Sequence, residues 1–328
     1  MISVSEIWVP MLWMVGFNTF ASIILVSVLM KYPKHAMIGL NRLLCLMLGF
    51  SRKTLSLDSS FTFSYIERGA PHPKTPTILF VHGFSSSKEC FLQTIKYLPR
   101  TYHIIAFDLP GHGETTLKEN DDCDVWYFVR YMKKFVDALG ISKSKFHIVG
   151  TSLGGHFSGV YASQYPEDLI SLSFYCPSGV SFEKETQMKD EAERTGSFIL
   201  LPQNMEEIHQ MFDFITYQKV NIPNIYMSGL LQMRLEQNHF LRRLLETMIK
   251  PGNFHLLEEN LEKIQTPLLL VWGKEDKCLH VECVDTIKKK LPVSPKTVII
   301  LDEVGHSIQL ERPKKAAEIL VKFLDSFY

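Results

Sequence analysis

Hydrophobic and polar positions divide the chain into three regimes. Residues 7–30 are almost wholly apolar, broken only by small polar residues and Asn18. Residues 54–175 alternate short continuous apolar runs with segments of helical spacing. Residues 180–260 show no buried-strand pattern, only helical stretches with many charges and large apolar side chains. After that the strand-and-helix alternation resumes to the end.

The middle and last regimes predict one sheet. Residues 54–57 and 61–67 read as two strands around the turn Asp58-Ser59-Ser60. The proline-rich linker 69–76 is unsuited to a central strand. Residues 77–81, 103–107, 146–149 and 169–175 are short apolar runs, as expected of parallel strands covered on both faces. Segments 88–98, 125–139 and 153–165 between them have helical spacing. Strands at 267–272 and 297–301 follow the charged stretch, with helices at 281–291 and 313–327; Pro313 suits a first helical turn. The expectation is an α/β fold: a mostly parallel, eight-stranded sheet flanked by helices. Its core spans 54–178 and 261–328, split by a helical lid or cap insertion over 179–260.

The first regime reads as an anchor. Its 24 residues exceed the roughly 20 that a helix needs to cross a bilayer. Trp8 and Trp13 lie toward its first end, as interfacial anchors do. Lys31, Lys34, His35 and Arg42 follow it, whereas Glu6 alone precedes it. The positive-inside rule then leaves residues 1–6 outside and the bulk of the protein cytosolic. A cleaved signal peptide agrees less well, since the first residues are uncharged, the run is long and no small-x-small site follows. Residues 31–53 are expected to link anchor and core. Within them 36–50, interrupted by Asn41 and Arg42, reads as an amphipathic helix lying in the interface or against the domain. Ser51-Arg52-Lys53 would be the hinge.

Composition narrows the function. Lys+Arg and Asp+Glu both total 35, so nothing points to nucleic acid or a polyanionic partner. The six cysteines show neither a CxxC pair nor metal-like spacing, so free thiols in a reducing compartment are expected, with no metal or other cofactor. The sequence contains no Asn-x-Ser/Thr glycosylation acceptor.

The chemistry centres on Gly150-Thr151-Ser152-Leu153-Gly154, between a predicted strand and a predicted helix. Gly-x-Ser-x-Gly in that setting is a nucleophile elbow: a sharp, strained turn that pushes the serine hydroxyl out at the carboxyl edge of the sheet. A serine needs a base to take its proton, and the base needs a carboxylate to hold it. Asp276 follows the strand at 267–272, and His306 follows the strand at 297–301. The order Ser152, Asp276, His306 is that of a Ser…Asp…His triad in this fold. Glu275 is the rival acid. The developing oxyanion calls for the backbone N–H of Leu153 and one from the loop after 77–81, most plainly Phe84. His82 and His112 read as structural.

With His82-Gly83-Phe84, the elbow, Asp276 and Gly305-His306, residues 54–328 resemble an α/β-hydrolase. With the amino-terminal run and Gly-Thr-Ser-Leu-Gly-Gly at the elbow, the chain resembles the membrane-anchored monoacylglycerol lipases of that family. The resemblance implies an integral, single-pass enzyme on an endosomal, lysosomal or other intracellular membrane. It implies hydrolysis of monoacylglycerols such as 2-arachidonoylglycerol and of lysophospholipids. It carries over Ser152, Asp276 and His306 as triad and Phe84 with Leu153 as oxyanion hole. Among apolar residues of the insertion, Phe212, Met227, Leu230 and Met233 are candidates for contact with an acyl chain, since thioethers adapt to irregular ligands. Two alternatives remain at this point: a carbon–carbon or small-ester hydrolase with the same triad, or a silent membrane-tethered binding protein.

Overall fold

The computed structural model describes residues 30–118, 123–182, 198–292 and 296–328. Its strands are β1 (Ser51–Asp58), β2 (Phe61–Arg68), β3 (Thr77–Val81), β4 (His103–Phe107), β5 (Phe146–Thr151), β6 (Leu169–Tyr175), β7 (Leu268–Gly273) and β8 (Lys296–Leu301). Helices of eight residues or more are α1 (Pro33–Met47), α2 (Val125–Leu139), α3 (Leu153–Gln164), α4 (Met205–Ile215), α5 (Asn224–Glu236), α6 (Asn238–Met248), α7 (Cys283–Lys290) and α8 (Pro313–Leu324).

The expected sheet is present, in the order β1-β2-β4-β3-β5-β6-β7-β8. β2 is antiparallel to both neighbours, and all pairings from β4 to β8 are parallel. Every residue of β3, β4, β5 and β7 is buried, which accounts for their mostly apolar sequences. β1 lies at the edge, half exposed, where alternating polar residues are tolerated. The carboxyl ends of β3, β5, β6, β7 and β8, adjacent in the sheet, form one rim. An open α/β sheet builds its site there.

Several boundaries differ from expectation. Ser51-Arg52-Lys53 is the start of β1 and not a hinge, paired with Glu67, Ile66 and Tyr65. Arg52 is pinned to Glu89 at 2.7 Å and to Glu114, which removes the freedom a hinge needs. Segment 88–98 is one tight turn, Lys88–Phe91, and a single helical turn, Leu92–Ile95, because Lys88 is tied through backbone and side chain to Asp108. The last residues of the expected insertion belong to the core: Leu256 and Leu257 join its buried cluster, and Leu257 packs over Gly159. The expected transmembrane run 7–30 lies outside the described residues save Met30. Among the described residues no helix is long and apolar enough to cross a membrane.

Segment 36–50 does form a helix, α1. One face docks on α5: Tyr226 bonds Asn41 at 3.2 Å, Lys34 pairs with Glu236, and Met37 is buried. Its other side exposes Leu40, Leu43, Leu46 and Met47.

Candidate active site

Ser152 joins β5 to α3 with φ 53° and ψ −123°, a conformation a non-glycine residue adopts only under strain. Crowding explains the flanking glycines. A Cβ on Gly150 would stand 2.5 Å from the Gly154 carbonyl oxygen, and one on Gly154 would collide with the carbonyls of Val81 and His82. Thr151 and Leu153 are buried, whereas Ser152 is part-exposed. Its backbone is held from β6 and beyond, its N–H donating to Tyr175 O at 3.0 Å and its carbonyl accepting from Ser178 N at 3.1 Å.

His306 Nδ1 and Asp276 Oδ2 are 2.7 Å apart. The Asp276 carboxylate is itself oriented, since Oδ1 accepts from the N–H groups of Cys278 and Leu279, both at 2.8 Å. Both side chains are buried. With Asp276 accepting, the proton on the neutral ring sits on Nδ1. Nε2 is left as the basic nitrogen, the tautomer a general base requires. Glu275, the rival acid, is occupied elsewhere: its carboxylate accepts from Val304 N at 3.0 Å. Gly305 N donates to Glu311 at 2.9 Å and Ser307 N to Ile215 O at 2.9 Å, so the histidine loop is stapled on both sides.

The loop after β3 passes directly against the serine. A Cβ on Gly83 would lie 2.9 Å from Ser152 Cβ and 3.5 Å from its Oγ, so glycine alone permits this approach. Phe84 directly follows Gly83 and Leu153 directly follows Ser152, so both belong to the two segments that meet at this contact. His82 fixes the loop. Its Nδ1–H donates to Gly83 O at 2.8 Å and its Nε2 accepts from Leu109 N at 3.0 Å. Burial drives its pKa well below the ordinary value, so the ring stays neutral. His112 likewise donates from Nδ1 to Pro110 O at 3.1 Å, with burial lowering its pKa to about 4. Below the loop, buried Lys88 pairs with Asp108 at 2.5 Å, and Asp108 also accepts from Glu114 N at 3.0 Å. Burial alone would lower the Lys88 ammonium; Asp108, Glu89 and Glu114 more than reverse that.

α4 and α5 share a small core of Ile208, Met211, Met227 and Leu231, whereas Phe240, Leu241 and Leu244 of α6 join the main core. A cavity of about 430 Å³ lies beside the small core, lined by Phe212, Met227 and Ile222 with polar His209, Asp213 and Asn224. Thr216, also in its wall, abuts Gly305. Of the acyl-contact candidates, Phe212 and Met227 reach this cavity. Leu230 packs against the small core, and Met233 is half-buried next to Arg234.

Sequence reading missed Cys176. At the end of β6, with φ 45°, its thiol lies within 4.8 Å of the Asp276 carboxylate and the His306 ring. Burial, and then the Asp276 charge, push the thiol well above its usual pKa, so it remains protonated beside the carboxylate. These three are close enough to share a metal ion. A thiol this reluctant to ionise, beside a carboxylate already bonded to the histidine, is a poor ligand set. The signal was available: Cys176 directly follows a predicted strand, on the same rim.

The sequence matches the Alpha/beta hydrolase family over residues 78–319. The chain belongs to the α/β-hydrolase family and is an enzyme of its serine hydrolase and lipase class. Within that class it is similar to monoacylglycerol lipase ABHD6 of Mus musculus, 35% identical over 289 residues that cover 84% of this chain and 85% of that protein. It is also similar to Lipase 1 of Psychrobacter immobilis, 28% identical over 81% of each chain. Among solved structures, a membrane phospholipase A described as a bacterial virulence factor superposes with a TM-score of 0.82, at 27% identity, over 96% of this chain and 98% of that one.

Proposed function

We propose that this chain is a membrane-associated serine lipase that cleaves monoacylglycerols, 2-arachidonoylglycerol among them, and related lysophospholipids through an acyl-enzyme on Ser152, His306 and Asp276. The observation that carries the reading is the 2.7 Å His306–Asp276 bond on the rim that also bears the strained Ser152. The relatives named monoacylglycerol lipase supply the substrate class.

In this reading Ser152 Oγ attacks the ester carbonyl carbon while His306 Nε2 accepts the hydroxyl proton. Asp276 holds the imidazolium that forms. The carbonyl oxygen becomes an oxyanion, received by the N–H groups of Phe84 and Leu153. The tetrahedral adduct collapses, the C–O bond to glycerol breaks, and His306 returns its proton to the leaving alkoxide. Water, deprotonated by His306, then attacks the acyl-serine and releases the fatty acid and free Ser152. No redox partner or metal enters this balance.

Membrane apposition has separate support. The exposed apolar side of α1 continues directly from the apolar run that precedes it, with Lys31, Lys34 and Arg42 alongside. On this reading residues 7–30 anchor the chain, the core faces the cytosol, and the helices between β6 and β7 act as lid. Burying four leucine-sized side chains in the interface contributes several kcal/mol, at about 1.5–3 kcal/mol each when fully buried.

A fluorophosphonate probe tests the enzyme reading. The native protein is expected to label, and Ser152→Ala to abolish labelling and hydrolysis of monoacylglycerol. A native protein that neither labels nor hydrolyses any acylglycerol or lysophospholipid would refute the proposal.

A further inference from the structure

Arg234 is a buried cation to which the chemistry above gives no task. It lies on α5, is 8% exposed, and has no carboxylate partner among the described residues. Its Nη2 donates to the Ser85 hydroxyl and to Leu200 O, the latter at 2.8 Å; its Nε finds no acceptor among the described residues. Burial lowers the guanidinium pKa to about 10, so it stays charged at neutral pH. An unpaired buried charge is costly, and it persists where surrounding contacts make use of it.

Its partner is also under strain. Ser85 directly follows Phe84, is buried, and has φ 50°. A left-handed serine is strained and needs something to hold it there. The Arg234 N–H is a strong, charge-assisted hold on that side chain.

The junction of α5 and α6 grips the neighbouring loop as well. Gln237 Nε2 donates to Gly113 O at 3.3 Å. The Phe240 ring stands edge-on to His112 at 5.3 Å and fills the space over Gly111, where a Cβ would come within 2.5 Å of it. His82 bridges the two gripped loops.

We propose that Arg234 is a positioning residue for acyl transfer: by holding the Ser85 hydroxyl it fixes the turn that carries the Phe84 amide past Ser152, so the oxyanion hole is complete when the helical insertion is seated. This rests on the reading of Phe84 and Leu153 as oxyanion donors. Loss of the hold leaves both donors in the chain but lets one wander. The penalty should therefore be smaller than the 10²- to 10³-fold loss typical of deleting a donor.

The test measures kcat and KM for a short p-nitrophenyl ester, a monoacylglycerol and a lysophospholipid in Arg234→Met, Ser85→Ala and the double variant, with Tm recorded for each. Each single change is expected to lower kcat about tenfold on all three substrates and leave KM within about twofold. The double variant should be no slower than Arg234→Met, because both changes break one contact. Arg234→Lys, which keeps a donor for Ser85, should recover part of the loss. Unaltered kcat in Ser85→Ala, or single effects that multiply in the double variant, would overturn the proposal. So would a raised KM for lysophospholipid with unaltered kcat in Arg234→Met, which would make the arginine a ligand for an anionic head group. If Arg234→Met does not fold, Ser85→Ala decides alone by the same split of kcat from KM. A native protein unlabelled by fluorophosphonate sinks the underlying enzyme reading; a labelled native protein with fully active Arg234 variants sinks this inference alone.

Discussion

A histidine serves as a base only when something fixes its ring. Asp276 does this at 2.7 Å and is in turn fixed by two backbone N–H groups. Glu275, one residue away, spends its carboxylate on the Val304 amide. Two variants should therefore part company. Asp276→Asn is expected to lower kcat about 10³- to 10⁴-fold by disfavouring the working tautomer. Glu275→Gln should stay within about tenfold of the native rate. Steady-state hydrolysis of a p-nitrophenyl ester measures both, and the opposite ranking would reassign the acid. At this scale chain order and strand ends are the signal that singles out Ser152, Asp276 and His306 in the sequence. The sequence was silent on Arg234, whose contact comes from Ser85, 149 residues away. Periodicity reports which face of an element is apolar, not which distant side chain it will meet.

Elements in the sheet were legible because a strand covered on both faces has to be continuously apolar. β3, β4 and β6 match the apolar runs at 77–81, 103–107 and 169–175 residue for residue. Segment 88–98 was not, because the ion pair of Lys88 with Asp108 overrides helical spacing there. The most informative pairing of elements is α1 on α5. A Cβ on Gly229 would stand 2.5 Å from Pro33 O and 2.8 Å from Met37 Cβ. Two effects compete when a side chain is placed there. Replacing a mid-helix glycine favours the helix by about 1 kcal/mol, whereas overpacking costs about 1–3 kcal/mol. Contact with rigid backbone decides for the second. Gly229→Leu should lower Tm by several degrees and expose α1 to limited proteolysis between α1 and β1. A raised Tm with unchanged proteolysis would show that α1 does not rest on α5.

Over the whole molecule, the buried histidines set a pH requirement. His82, His112, His147 and His156 all lie in the interior. Burial lowers the pKa of His112 and His147 to about 4, that of His156 to about 3 with His255 assisting, and that of His82 well below its ordinary value. The folded state thus holds these rings neutral, while the unfolded chain protonates them near pH 6.5. Between those values the unfolded state binds more protons, so stability is complete above about pH 6.5 and falls as pH drops toward 4. At pH 5 His112 and His147 each account for roughly 2 kcal/mol of that loss, a large share of the 5–15 kcal/mol that usually holds a fold together. Asp108 opposes them, since burial raises its carboxyl pKa to about 6. Paired carboxylates such as Glu114 and Glu258, held near 2, lose their contribution only below about pH 4.5. From pH 6.5 to 4.5 the four histidines therefore oppose Asp108 alone and outweigh it. Calorimetry at pH 7.5, 6 and 5 is expected to show Tm falling steeply across that range, and a flat Tm would mean that the interior rings accept protons without unfolding.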